Sequence, residues 1–206
     1  MFQNSNDLLN YISLNSHAET RSCEFKSGVK WENEFRYTIV KGILALSNLA
    51  GGGYIIIGVE WNDSTKNYEP VGMDSSISET YEHDVVLEFA NLRADPFVEI
   101  ELKHFEVSGK WIVVIQVAEF FETPVICKKS CENILEEGRM YYRTRKKPES
   151  SANLTYVDVR EIQDYAITKG LGKLLQRLEA SGLNLGAIRI DETDEEQFDR
   201  ESEDFG

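Results

Sequence analysis

The chain has 206 residues, 41% of them hydrophobic and 28% charged, enough for one domain that buries roughly 70% of its unfolded surface. No apolar run approaches the ~20 residues of a membrane span, and the N-terminal stretch lacks the basic-then-apolar layout of a signal peptide, so no membrane is expected and a cytoplasmic setting is. A net charge of −14 excludes a generally sticky nucleic-acid binder, yet that charge is segregated: residues 191–204 hold nine acids against Arg200, a local net of −8.

Residues 6–15 read as a short helix with Leu8, Leu9 and Ile12 on one side. Residues 20–26 alternate as a strand, Cys23 and Phe25 facing one way and Ser22, Glu24 and Lys26 the other. An amphipathic helix over 33–48 comes next, with Phe35, Ile39, Val40, Ile43, Leu44 and Leu46 at helical spacing. Gly51-Gly52-Gly53 ends it, because the residue after a helix commonly needs positive φ. Residues 54–59 are apolar without alternation, which predicts a strand covered on both faces, and Glu60, Asn62 and Asp63 stand at its end. This unit serves equally as plain packing or as a frame that delivers acids to a site.

Residues 64–76 read as turn and loop, and 79–92 as a second amphipathic helix stopped near Pro96. Residues 97–107 and 110–117 read as a hairpin about Ser108-Gly109. A short extended piece at 123–127, a strand over 139–145 with Tyr141 and Tyr142 on its two faces, and a helix over 155–168 complete a core at 1–168. Gly170-Leu171-Gly172 interrupts that helix, a helical extension occupies 169–190, and 191–206 form an acidic tail. The order predicts an α+β fold: one lobe, with a mixed or antiparallel sheet and flanking helices.

The acids that bear on chemistry are Glu19, Glu24, Glu60 and Asp63. Glu24 and Lys26 share a strand face, so a carboxylate and an ammonium can converge on one phosphate. Carboxylates of this kind hold a hard divalent cation in phosphodiester cleavage, and a nearby lysine stabilises the developing charge. Glu19, five residues before Glu24, would face the other way in one regular strand; it must precede the strand or come after a bulge. The competing reading is strand acids in solvent, paired with lysine. Lys128, Lys129, Arg139, Arg143, Arg145, Lys146 and Lys147 form a basic stretch with Tyr142 among them. It fits a tracked phosphate backbone with a stacked base, or equally a solvated edge strand. Cys23, Cys127 and Cys131 suit a reducing compartment, and scattered His17, His83 and His104 give no structural zinc site. No Lys-Ser or Lys-Thr succeeds the glycine triplet at phosphate-loop spacing, so no nucleotide cofactor is expected.

Glu19-x4-Glu24-Phe25-Lys26, then Ala45-x-x-Asn48-x-x-Gly51-Gly52, then Ile57-Gly58-Val59-Glu60, together resemble the Schlafen core and its bacterial relatives, the Alba-type or "divergent AAA" DNA-binding domains. The resemblance runs over roughly residues 8–168 and implies a domain that handles nucleic acid. In nuclease members three acids bind a divalent metal and cut structured RNA such as tRNA, an activity of stress or anti-phage defence. Glu19 and Glu24 fall on the first two positions. Glu60, or Asp63 after a local shift, stands for the third, because Trp61 occupies the place where an acid is often found. The resemblance thus implies a metal-dependent endoribonuclease: Glu19, Glu24, Glu60 and Asp63 as ligands for Mg²⁺ or Mn²⁺, Lys26 on the scissile phosphate, and Arg139, Tyr142, Arg143, Arg145, Lys146 and Lys147 on RNA or DNA. The alternative is a non-catalytic nucleic-acid- or protein-binding module of the same fold. Animal members pair two lobes, so a single lobe implies a homodimer or a larger protein partner. The acidic tail either docks on the basic strand or is a solvated linker.

Overall fold

A computed structural model describes residues 2–182; the predicted acidic tail, and the extension beyond residue 182, lie outside the described residues. The chain divides into Met1–Ala166 and Ile167–Gly206. In the first unit α1 (Ser5–Leu14) begins where the Asn4 side chain accepts from the Asp7 N–H at 3.0 Å, and it buries Leu8 and Ile12 one turn apart. Then come β1 (Cys23–Lys26), α2 (Asn33–Ser47) and β2 (Gly53–Ile57). β1 and β2 pair in parallel, with α2 as the crossover. The hairpin of β6 (Ile100–Val107) and β7 (Lys110–Val117), the latter antiparallel to β2, completes a mixed sheet in the order β1-β2-β7-β6. Ser108 and Gly109 both have positive φ at its two-residue turn, the backbone that matches strand twist in tight hairpins.

The uninterrupted apolar run of β2 has its explanation in two cores. Ile56, with Phe25, Ile112 and Val114, packs toward α1; Ile55 and Ile57, with Val113 and Ile115, pack toward α2 and its neighbours. α4 (His83–Asn91) adds Val86 and Ala90 to the second core. A Cβ on Gly52 would sit 2.1 Å from the Val117 carbonyl oxygen, and one on Gly53 2.4 Å from that of Ser22. The glycine triplet therefore lets β2 slot between its neighbours, besides turning the chain after α2.

Several predicted elements differ in extent. The apolar strand stops at Ile57, because Gly58 (φ +104°) turns the chain into β3 (Val59–Asn62). β3 pairs with β4 (Asn67–Pro70), inside the segment expected to be loop, as a separate two-stranded ribbon. The helix expected over 79–92 is α4, which starts only at His83 and ends at Asn91 before the pairing of β5 (Ala94–Asp95) with β8 (Ile126–Cys127); a separate single turn, α3 (Ser75–Ser78), precedes it. The hairpin's first strand starts at Ile100 rather than residue 97. The strand expected over 139–145 is only β9 (Tyr142–Arg143), paired with β10 (Ser150–Ser151). α5 (Tyr156–Ala180) runs unbroken through Gly170 and Gly172, whose helix-interior cost of about 1 kcal/mol each does not stop it. No helix among the described residues is long and apolar enough to cross a membrane.

Candidate functional site

Strand alternation sends Phe25 into the α1-side core and Glu24 to the opposite face, toward α2. There α2 carries Gly42. A Cβ at that position would lie 3.0 Å from Glu24 Oε2, so the absent side chain makes room for the carboxylate. Glu24 is only 5% exposed. Lys26, two residues on, places Nζ 2.6 Å from Glu24 Oε1. Glu19 precedes β1, as its odd spacing requires; its Oε1 accepts from the Phe25 N–H at 2.8 Å.

Arg143 closes the cluster from β9. Its side chain is completely buried and every guanidinium nitrogen donates. Nη1 reaches Glu24 Oε2 at 3.0 Å, and Nη2 reaches Glu19 Oε2 at 3.4 Å together with the carbonyls of Thr20 and Cys23 at 2.9 and 3.0 Å. Nε donates to the Arg21 carbonyl at 3.2 Å. Ser150, from β10, adds a hydroxyl donor 3.0 Å from Glu24 Oε2. Burial, followed by the neighbouring Glu24 charge, pushes the Glu19 pKa up, against the pull of the Phe25 N–H and Arg143. Burial likewise raises the Cys23 thiol to about 12, leaving it an inert packing group.

An outer layer backs this cluster. Arg21 donates to the Arg143 carbonyl, to the Tyr142 hydroxyl and, through both Nη atoms, to Glu161 on α5. Arg145 also grips Glu161 with two bonds of 3.0 and 3.1 Å. Burial opposes ionisation of Glu161, but the two arginines prevail and hold it down to about 2. Burial raises Tyr142 to about 12.

The third predicted acid stays apart. Gly58 turns the chain out of the sheet, so Glu60 is exposed on β3, opposite Glu69. Asp63, also exposed, accepts from Trp61 Nε1 at 3.1 Å and pairs with Lys66 at 3.4 Å. Trp61 packs edge-on against Tyr68 and takes no part in the acid cluster. Among the described residues no group of three or more His, Cys, Asp or Glu side chains is arranged to hold a metal ion. All four oxygens of Glu19 and Glu24 already face protein donors, and Lys26 with Arg143 balances their two charges. In this arrangement Mg²⁺ or Mn²⁺ does not fit: it would have to displace a buried guanidinium and sit beside an ammonium.

The Schlafen, AlbA_2 family model matches residues 19–151. The chain belongs to that family. The match opens on Glu19 and closes on the second residue of β10, so it spans the whole Glu19–Glu24–Arg143–Ser150 cluster. Among solved structures, the chain is similar to the DIP2311 protein from Corynebacterium diphtheriae, at 18% identity and a TM-score of 0.44, over 71% of this chain and 26% of that one. It is similar also to the N-terminal domain of a RecG-related protein from Nitrosomonas europaea, at 21% identity and a TM-score of 0.44, over 63% of this chain and 84% of that one. The chain thus spans about a quarter of the Corynebacterium protein's length. No curated protein matches it.

The basic stretch of this Schlafen/AlbA_2 domain does not act as one surface. Tyr142 and Arg143 are buried, so neither meets solvent as a stacking ring or a phosphate grip; Arg143 is the counter-ion of the acids instead. Arg139, Arg145 and Lys147 are exposed but paired, with Glu136, Glu161 and Glu149. Lys146 is exposed with no ion pair among the described residues. Asn48 was legible only as a motif letter. Buried at the end of α2, it donates to the carbonyls of Val125 and Tyr141 at 2.8 and 2.9 Å and accepts from the Val125 N–H at 2.7 Å. One sequence signal for Arg143 existed: an arginine directly after Met140-Tyr141-Tyr142 sits in an apolar run, where a cation survives only beside acids.

Proposed function

We propose that this Schlafen/AlbA_2 domain is a non-catalytic module that binds nucleic acid. The observation that carries the non-catalytic half is the saturation of Glu19 and Glu24: each carboxylate oxygen has a protein donor, and the buried Arg143 takes the position between them that a metal would need. Binding is supported by the family and by the exposed Arg145-Lys146-Lys147 turn, where Glu161 and Glu149 pair with Arg145 and Lys147 and Lys146 has no ion pair among the described residues. Phosphate contacts of this kind carry affinity rather than sequence choice.

The test is fluorescence anisotropy with a labelled RNA hairpin and a labelled DNA duplex at low salt. Lys146→Glu/Lys147→Glu is expected to weaken binding by about tenfold or more, with a flatter salt dependence. Incubation of labelled tRNA with protein and Mn²⁺ is expected to leave the RNA intact. Metal-dependent cleavage by the wild type that disappears in Glu24→Gln would overturn the proposal in favour of endoribonuclease chemistry. The convergence of Glu19, Glu24 and Lys26 favours that second reading, which requires Arg143 to vacate its place.

A further inference from the structure

β6 is an edge strand, paired with β7 alone. Val107 and Lys110 close the two-residue turn, which sets the alternation: the odd-numbered residues of β6 bond inward to β7. The Ala118 N–H, donating to the Glu99 carbonyl at 3.0 Å, continues that pattern beyond the end of the strand. The N–H and C=O groups of Ile100, Leu102, His104 and Glu106 therefore point away from the sheet. At one end the Ile100 carbonyl accepts from His83 Nε2 at 3.1 Å, and at the other the Glu106 carbonyl accepts from the Ser5 hydroxyl at 2.9 Å. Between these stops, the backbone N–H and C=O of Leu102 and His104 have no partner among the described residues.

The same two residues line a pocket of about 670 Å³. The segment that joins α3 to α4 also lines it, and the His104 ring ties that segment to β6: Nδ1 accepts from the Ser78 hydroxyl at 2.7 Å and Nε2 donates to the Tyr81 carbonyl at 3.0 Å. A carbonyl can only accept, which fixes both the tautomer and the direction of the Ser78 bond. The pocket is thus formed before anything enters it. Trp111 lines it as well. Trp31 and Trp61 pack on other rings, whereas the Trp111 ring has no aromatic or cationic partner among the described residues. Glu79 and Glu82 stand at the same pocket with no ion pair among the described residues. Edge and pocket are open to solvent: His104, Glu79 and Glu82 are exposed, and Leu102 and Trp111 are half-buried.

We propose that the middle of β6 is a docking edge for an extended segment of a partner protein, which adds an antiparallel fifth strand to the four-stranded sheet and sends one side chain into the pocket. Exposed Lys103 lies between the two bonding residues, with its side chain on the other face of the sheet, so an acid opposite it completes a cross-strand ion pair. On the pocket face, the residue beside Leu102 is apolar. The one beside His104 is a long basic side chain that covers the Trp111 ring and neutralises Glu79 and Glu82. The docked segment therefore reads basic, acidic, apolar at successive positions. A second copy of this chain fits worse. Antiparallel pairing of Leu102 with His104 of another copy sets Lys103 against its own counterpart, a like-charge pair. A slip of two residues either way engages the Ile100 or the Glu106 carbonyl, which His83 and Ser5 already hold. The site is separate from the Arg145-Lys146-Lys147 turn and does not depend on the nucleic-acid reading.

The test is fluorescence anisotropy with a labelled synthetic peptide, threonine and valine alternating around a central arginine-glutamate-valine triplet. Saturable binding to the wild type is expected. N-methylation of the triplet's arginine and valine nitrogens removes two backbone donors, leaves the side chains, and is expected to weaken binding about tenfold or more. Lys103→Glu is expected to weaken it about fivefold, and a peptide with lysine in place of its glutamate is expected to recover that loss. Glu79→Gln/Glu82→Gln is expected to abolish the preference for arginine over glutamine at the first position of the triplet. Binding that survives N-methylation, or that ignores the charge exchange at Lys103, would overturn the docked strand, as would the absence of saturable binding in the millimolar range. In sedimentation, a dimer of the wild type that dissociates as the peptide binds would assign the edge to a second copy and overturn the proposal.

Discussion

Replacing Arg143 by methionine keeps most of the volume and removes the cation. Five donor contacts vanish, three of them to the backbone carbonyls of Thr20, Arg21 and Cys23, and Glu19 and Glu24 are left with Lys26 as the one cation paired with the cluster among the described residues. Breaking a buried pair from one side costs about 3–5 kcal/mol, because the surviving charge stays out of water. For a domain with ~5–15 kcal/mol of total stability, that is roughly a fifth or more of the margin. In urea denaturation, at a slope of about 1–3 kcal/mol/M, the midpoint should fall by more than ~1 M. Arg143→Lys should recover little, since an ammonium lacks the planar fork that reaches both acids and the carbonyls together. Glu24→Gln in the methionine background should be far less harmful than in the wild type, with a coupling of ~1 kcal/mol or more. The deficit of Arg143→Met should also shrink as pH falls through the carboxylate range, where stranded Glu19, whose pKa burial already pushes up, takes up a proton. A cost below ~1 kcal/mol, or strict additivity with Glu24→Gln, would refute the assignment of Arg143 as the counter-ion of the cluster.

Two other predictions concern the neighbours of this cluster. Glu161, at about 2 in the folded state against an ordinary 4.5, stabilises fully above pH 4.5 and loses that contribution as pH falls toward 2. Glu161→Gln should therefore flatten the stability–pH profile in that window, by only ~1 kcal/mol because the side chain remains about a quarter exposed. Asn48→Ala should cost ~2–4 kcal/mol in the same denaturation assay, since it strands the Val125 N–H and two buried carbonyls; Asn48→Asp should fare no better, because a carboxylate cannot donate to the Val125 and Tyr141 oxygens.

The sequence is legible here wherever physical periodicity marks it. Alternation over residues 20–26 separates Phe25 from Glu24 correctly, and the unalternating run after the glycines marks β2 as covered on both faces. The Ser108-Gly109 turn is legible because two residues of positive φ between alternating strands leave few other solutions. Glu60 is harder to place, because Val59 continues the apolar run and hides a break made by backbone geometry at Gly58. Arg143 is hardest. Its burial depends on Glu24, 119 residues earlier in the chain, and no local pattern encodes that distance. Charged residues within a few positions of each other suggest one surface, yet in β9 and the turn after it Arg143 points into the protein while Arg145 and Lys146 point out.

The acids of the Glu-x4-Glu-Phe-Lys signature need positive charge wherever they are buried, and a divalent metal is only one way to supply it. Here Arg143 and Lys26 supply it, and the geometry makes the dependence mutual: the guanidinium could not be buried without Glu24 and Glu19, nor the carboxylates without the guanidinium. That pairing also joins β1 to the β9–β10 ribbon, with Gly42 on α2 leaving the gap through which Glu24 reaches it. On the proposed non-catalytic reading, the acids that would hold a metal in a nuclease are kept for folding.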